Sequence, residues 1–118
     1  FAHNSFALID EVTWANPLNP ISLQGAGTYS IKHSSTGDLT IEVLEAHPGQ
    51  DLTFSVEQKG AGSIFIKAGL GAIFVLNSID SKIDLADVGS TVTIRFVIDS
   101  SNNGAFYIVG GHNYTTTL

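Results

Sequence analysis

Four histidines, eleven carboxylates and a polar loop are the groups in this sequence that could do chemistry, and their spacing decides which chemistry is open to them. His3, His33, His47 and His112 share no two-residue strand spacing and no helical i, i+4 spacing. A zinc site would need them to converge from separate segments, and scattered surface or turn histidines are the plainer reading. The carboxylate groupings are Asp10 with Glu11, Glu42 with Glu45, and Asp80 with Asp84 and Asp87. Glycoside hydrolysis needs two carboxyls about 5–10 Å apart across a cleft, and an acidic chain supplies such pairs by chance. No G-x-S-x-G elbow occurs among the serines. The glycines from Gly60 to Gly71 lack the Gly-Lys-Ser/Thr ending of a phosphate loop. No catalytic residue, cofactor site or metal site follows, and the chain reads as non-enzymatic.

Asp99, Ser101 and Asn103 alternate, and Gly104 follows, like the opening of a calcium loop. The position that should carry a bidentate Glu holds Gly110, so this segment reads as a polar hairpin tip. Asn113-Tyr114-Thr115 forms a glycosylation sequon, meaningful only in a eukaryotic secretory pathway. Trp14, Tyr29, Tyr107 and Tyr114 are candidates for a sugar-stacking platform. Trp14 continues the apolar face of Phe6, Leu8 and Val12 and is expected in the core, whereas Tyr107 lies opposite Phe106 and Ile108 and is expected outside. The residues expected to contact a ligand or receptor are Ser35, Thr36 and Asp38 in one turn, Asp99, Asn102 and Asn103 in another, and Tyr107. The two turns carry hydroxyl, amide and carboxylate groups that no backbone ladder requires.

The elements that must position these groups are strands. Period-2 alternation dominates and no 3.6-residue period is present. Tyr29–His33, Leu39–Val43, Leu52–Val56 and Val92–Ile98 alternate cleanly, with turn signals at Ser34–Asp38, Pro48-Gly49 and Asp99–Gly104. The run Ala72-Ile73-Phe74-Val75-Leu76 is expected to be the most buried strand, covered on both faces. Strands at such intervals predict an all-β, antiparallel, jelly-roll-like sandwich spanning 1–118 as a single domain, with tails at 1–5 and 115–118. Asp38-Leu39-Thr40-Ile41-Glu42-Val43 resembles Asp51-Leu52-Thr53-Phe54-Ser55-Val56, and Val92-Thr93-Ile94 echoes both out of register. That is too little for a solenoid period.

Composition bounds the partners. Five cations against eleven anions leave a net charge of −6, and the cations are scattered, which argues against nucleic acid and anionic membranes. The longest apolar run is far too short for membrane insertion. There is no cysteine, so no disulfide or thiolate site forms. Without methionine, Phe1 implies processing or excision from a longer chain. Charged residues make up 14% against about 25% in ordinary soluble domains, with mean hydropathy at +0.22. So few charges leave large uncharged patches, the mark of a subunit covered by others.

Three stretches carry a family likeness: Pro48-Gly49-Gln50-Asp51-Leu52-Thr53-Phe54-Ser55-Val56, Val88-Gly89-Ser90-Thr91-Val92-Thr93-Ile94-Arg95-Phe96-Val97, and Gly104-Ala105-Phe106-Tyr107-Ile108-Val109-Gly110-Gly111. In these the chain resembles C-terminal domains of bacteriophage tail fibres and related virion surface proteins. Many of those carry tryptophan where Phe106-Tyr107 stands. The resemblance covers about half the chain and implies a virion component, a tail fibre, spike or capsid decoration. It would be a homo-oligomer, a homotrimer first, located at the virion surface and binding a host-surface glycan or other virion proteins. A carbohydrate-binding module of a secreted bacterial protein, extracellular and monomeric, is the alternative. The donor spacing makes one expectation immediate: EDTA should leave the melting temperature unchanged. A fall of many degrees that calcium restores would make Asp99 and Asn103 metal ligands.

Overall fold

A computed structural model describes residues 6–10, 21–24, 27–45, 48–68, 73–74, 82–98, 100–102 and 104–117. All of their regular structure is strand: β1 (Phe6–Asp10), β2 (Ile21–Gln24), β3 (Gly27–His33), β4 (Leu39–Glu45), β5 (Asp51–Lys59), β6 (Ile64–Ala68), β7 (Ile73–Phe74), β8 (Lys82–Leu85), β9 (Thr91–Ile98), β10 (Gly104–His112) and β11 (Tyr114–Thr117). They form two sheets. One, sheet A, runs β1-β3-β5-β9-β10-β7; the other, sheet B, runs β11-β8-β6-β4-β2. Trp14 and the other residues expected to extend the first strand lie outside the described residues.

Alternation along each strand sets which side chains face the shared core. In β5, Leu52, Phe54 and Val56 are buried while Thr53 and Ser55 face outward. Tyr29 and Ile31 of β3, and Val92 and Ile94 of β9, extend that apolar face across sheet A. Leu39, Ile41 and Val43 of β4, Ile64 and Ile66 of β6, and Ile83 and Leu85 of β8 supply the facing layer from sheet B. Tyr29 stacks on Phe54 with ring centroids 5.2 Å apart, and Phe96 tilts against Phe106 at 4.9 Å. The β-branched residues suit this pleated, enclosed surface.

The expected all-antiparallel pairing is not what the chain adopts. β1 with β3, β3 with β5, β2 with β4, β4 with β6, and β7 with β10 are parallel. The remaining pairs, β5 with β9, β9 with β10, β6 with β8 and β8 with β11, are antiparallel. The reason lies in the winding. From β1 to β6 the chain alternates between sheets, so a strand's neighbour in its own sheet is two elements later and points the same way. A parallel pair needs a crossover, which a helix usually supplies. Here the crossover is a strand of the opposite sheet.

This winding also places the repeated phrases. Asp38–Val43 and Asp51–Val56 fall in opposite sheets and do not stack. The stacked repeat is instead Thr28-Tyr29-Ser30-Ile31 beside Thr53-Phe54-Ser55-Val56, continued in sheet B by Leu39-Thr40-Ile41 beside Ile64-Phe65-Ile66. Thr28 meets Thr53 and Leu39 meets Ile64 at the same sequence offset, one full coil.

After β7 the direction reverses, and the β9–β10 hairpin ends the coils. Of the run Ala72–Leu76, only Ile73 and Phe74 are described; they form an edge strand of sheet A rather than a central one. Thr115 to Thr117, expected as tail, belong to β11 and pair with β8. Between β10 and β11 the chain changes sheets through Asn113, whose φ is +56°. A small network holds this corner: the Asp87 N–H donates to Ser90 Oγ (3.0 Å), Ser90 Oγ donates to the Asn113 carbonyl (2.7 Å), and Asn113 Nδ2 donates to Asp87 Oδ2 (3.2 Å). Ser90 is fully buried, so its two bonds satisfy a hydroxyl that water cannot reach.

Leu52→Ala and Ile41→Ala remove fully buried methyl groups from opposite layers. Each is expected to lower the unfolding free energy by about 2–5 kcal/mol, a large share of a typical domain's total. Thr28→Ala, on the outer face, should change it by no more than about 0.5 kcal/mol. Urea denaturation monitored by circular dichroism measures both, and equal effects would refute the assignment of faces.

Candidate functional site

The outer face of sheet A is built by the same alternation that fills the core. Parallel register sets Thr28 beside Thr53 and Ser30 beside Ser55; antiparallel register then sets Thr53 beside Thr93 and Ser55 beside Thr91. Thr53 Oγ1 and Thr93 Oγ1 share a hydrogen bond of 3.0 Å. At one end of this hydroxyl array Ser30 Oγ donates to Glu57 Oε1 (2.9 Å), and Lys32 Nζ lies 3.5 Å from Glu57 Oε2.

At the other end Asp51, Arg95 and Tyr107 occupy one row across β5, β9 and β10. Arg95 Nε donates to Asp51 Oδ1 at 2.8 Å and its terminal nitrogen to Oδ2 at 3.2 Å, a two-pronged pair. The carboxylate's hydrogen bonds, then its charge, raise the Arg95 guanidinium above its ordinary value, so it stays charged. Both partners remain substantially open to water, and the pair fixes geometry more than it adds stability. Tyr107, directly opposite Arg95, is 42% exposed. The outer face of sheet B differs: it carries Glu42 with Lys67 at 3.5 Å, and Lys82 over the ring of Phe65 at 4.6 Å.

The expected contact turns lie at opposite ends of the molecule. Ser34–Asp38 follows β3 beside the end of β5, because His33 pairs with Lys59. The β9–β10 tip lies past the start of β5, because Arg95 pairs with Asp51, and Gly49 N–H and the Phe96 carbonyl join there at 2.7 Å. Asn102 is exposed at the tip with φ +66°, whereas Asp99 and Asn103 lie outside the described residues.

The first turn also has structural duties that the sequence does not announce. Ser35 and Thr36 are exposed, but the Ser35 carbonyl accepts from Gly62 N–H (3.1 Å) and Asp38 Oδ1 accepts from Ser63 N–H (2.9 Å). His33 is buried beneath this turn, and its Nε2 donates to the Gly37 carbonyl at 2.6 Å, which places a proton on that nitrogen. Thus the β3–β4 and β5–β6 connections form two stacked layers of one turn. Of the expected aromatic platform, Tyr29 is core, its hydroxyl raised above the ordinary value by burial. Tyr114 is half-buried against the core, and Trp14 lies outside the described residues.

The Asp51–Arg95 pair escaped the sequence reading because its members are far apart in the chain. The signal was the echo of Leu52-Thr53-Phe54 in Val92-Thr93-Ile94: setting Thr53 against Thr93 in antiparallel sense places Asp51 against Arg95. Among the described residues no three His, Cys, Asp or Glu side chains gather closely enough to hold a metal ion. Compared with protein-family models, curated proteins and solved structures, the chain finds no match in any.

The stacked turns generate a direct test. A Cβ at Gly62 would overlap the Gly37 carbonyl and press on His33 Nε2, while one at Gly37 meets nothing within 4 Å. Gly62→Ala should therefore cost about 1–3 kcal/mol in urea denaturation, and Gly37→Ala no more than about 0.5 kcal/mol. Equal effects would mean that the two turns do not stack.

Proposed function

We propose that this chain is a non-enzymatic domain of a virion surface protein, a tail fibre, spike or capsid decoration, which self-associates and attaches the particle to a host surface. The observation that carries the self-association is the end of the coil stack. Among the described residues β1 is one edge of sheet A and β2 one edge of sheet B, and the coil sets both at the same side of the molecule. Neither Phe-Ala-Leu-Ile-Asp nor Ile-Ser-Leu-Gln contains a lysine or proline, the residues that usually keep edge strands from pairing with other chains. Coupled with 14% charged residues, this favours a homo-oligomer, a trimer first, joined at that side. The viral assignment draws on the tail-fibre phrases at Pro48–Val56, Val88–Val97 and Gly104–Gly111. The expected jelly-roll-like topology lends it no support, since the coils of β1–β6 are parallel.

A second reading, a carbohydrate-binding module of a secreted bacterial protein, is favoured by the exposed Tyr107 beside Arg95. Assembly separates the two. Light scattering at micromolar concentration should give a mass near three times 12.5 kDa, and Leu8→Lys in β1, in register with the outward Ser30, should reduce it while circular dichroism shows the fold retained. A clean monomer would overturn the virion reading in favour of the module.

A further inference from the structure

We propose that the outer face of sheet A around Tyr107 is a binding platform for an uncharged glycan. The inference rests on the attachment reading above and moves the contact surface from the turns to the sheet. Tyr107, Arg95, Asp51, Thr53 and Thr93 lie on one face of three adjacent strands in fixed register. Each supplies a part of sugar recognition. An exposed aromatic ring offers an apolar face on which the C–H side of a pyranose stacks, with a polar tip left wet. Beside it, Arg95 commits Nε and one terminal nitrogen to Asp51, which leaves further guanidinium N–H donors and carboxylate lone pairs for sugar hydroxyls. Thr53 and Thr93 share one hydroxyl hydrogen between them, so one O–H remains to donate outward.

Charge selects the class of glycan. The platform holds one cation and one anion, joined at 2.8 Å, in a chain whose net charge is −6. A sialylated or sulfated sugar would find no uncompensated cation here and would meet the repulsion of the whole molecule. A neutral hexose chain loses nothing to that field. The surface is a flat sheet face, so a single site would be weak, and repeated copies in an oligomer would raise the avidity towards a repeated glycan.

Calorimetric titration with mannohexaose, cellohexaose and β-1,4-galactohexaose tests the proposal, with 3′-sialyllactose and a heparin hexasaccharide as anionic counterparts. At least one neutral probe should bind, and neither anionic probe should bind more tightly. Tyr107→Ala should weaken that binding about threefold to tenfold, as expected for loss of ring stacking. Tyr107→Phe and Thr36→Ala, the latter in the turn at the opposite end of the sheet, should stay within about twofold, and circular dichroism should confirm that all three variants fold. No binding by any neutral probe, tighter binding of an anionic one, or an unchanged affinity in Tyr107→Ala would each overturn it. Light scattering on the same samples keeps the two claims apart: an oligomer that binds no neutral sugar removes the platform, and a sugar-binding monomer removes the virion assembly.

Discussion

Where β3 runs parallel to β5, Tyr29 lies beside Phe54 and Ile31 beside Val56, with Thr28 beside Thr53 and Ser30 beside Ser55 on the reverse side. A slip of one residue would turn the aromatic pair to water and bring hydroxyls into the core. The rest of the molecule depends on this register. It fixes the height at which Ser34–Asp38 meets Gly60–Ser63, and it sets the row in which β9 later places Thr93 against Thr53 and Arg95 against Asp51. Core packing and surface chemistry are therefore one constraint seen from two sides of the same strands.

The coil has a second consequence, at its two ends. A strand stack built by parallel returns has no built-in stop, because each new coil offers the same backbone edge as the one before. At one end the coil gives way after β7 to the β9–β10 hairpin, the Asp87, Ser90 and Asn113 network carries the chain across to β11, and β7 and β11 are the described edges there. At the other, β1 and β2 form the last rung among the described residues. Their lack of lysine and proline is the same charge deficit that composition shows across the chain. The described charges of sheet A's outer face are mostly taken up by one another, in Lys32–Glu57 and Asp51–Arg95. The surface is thereby neutral and hydrogen-bonding in character, suited to contacts of shape and hydroxyl groups rather than of net charge.

Strand positions were legible because burial on one face writes itself into the sequence every second residue. Leu52, Phe54, Val56, Val92 and Ile94 could be assigned to the core from alternation, and Tyr107 to the outside from its neighbours Phe106 and Ile108. The winding was not legible. Alternation is the same whether a neighbouring strand runs parallel or antiparallel, so the expectation of antiparallel pairing gave no sign that Leu39–Val43 and Leu52–Val56 belong to opposite sheets. Asp38 shows the same limit for a single residue. Its type and its turn suggested a free carboxylate, and the coil instead brings Ser63 N–H to it from a segment that sequence distance hides.

By itself, then, the sequence determined that the chain is all-β, which side chains the described strands bury, and that charge is scarce and net negative. These are local or summed properties, set by periodicity and composition without knowledge of which strand lies beside which. Only the tertiary structure decided the parallel coils, the opposite placement of the two polar turns, and the row of Asp51, Arg95 and Tyr107. Each of these depends on pairing between distant segments. Backbone hydrogen bonds between strands carry no residue code, so pairing is decided by the packing of both sheets at once.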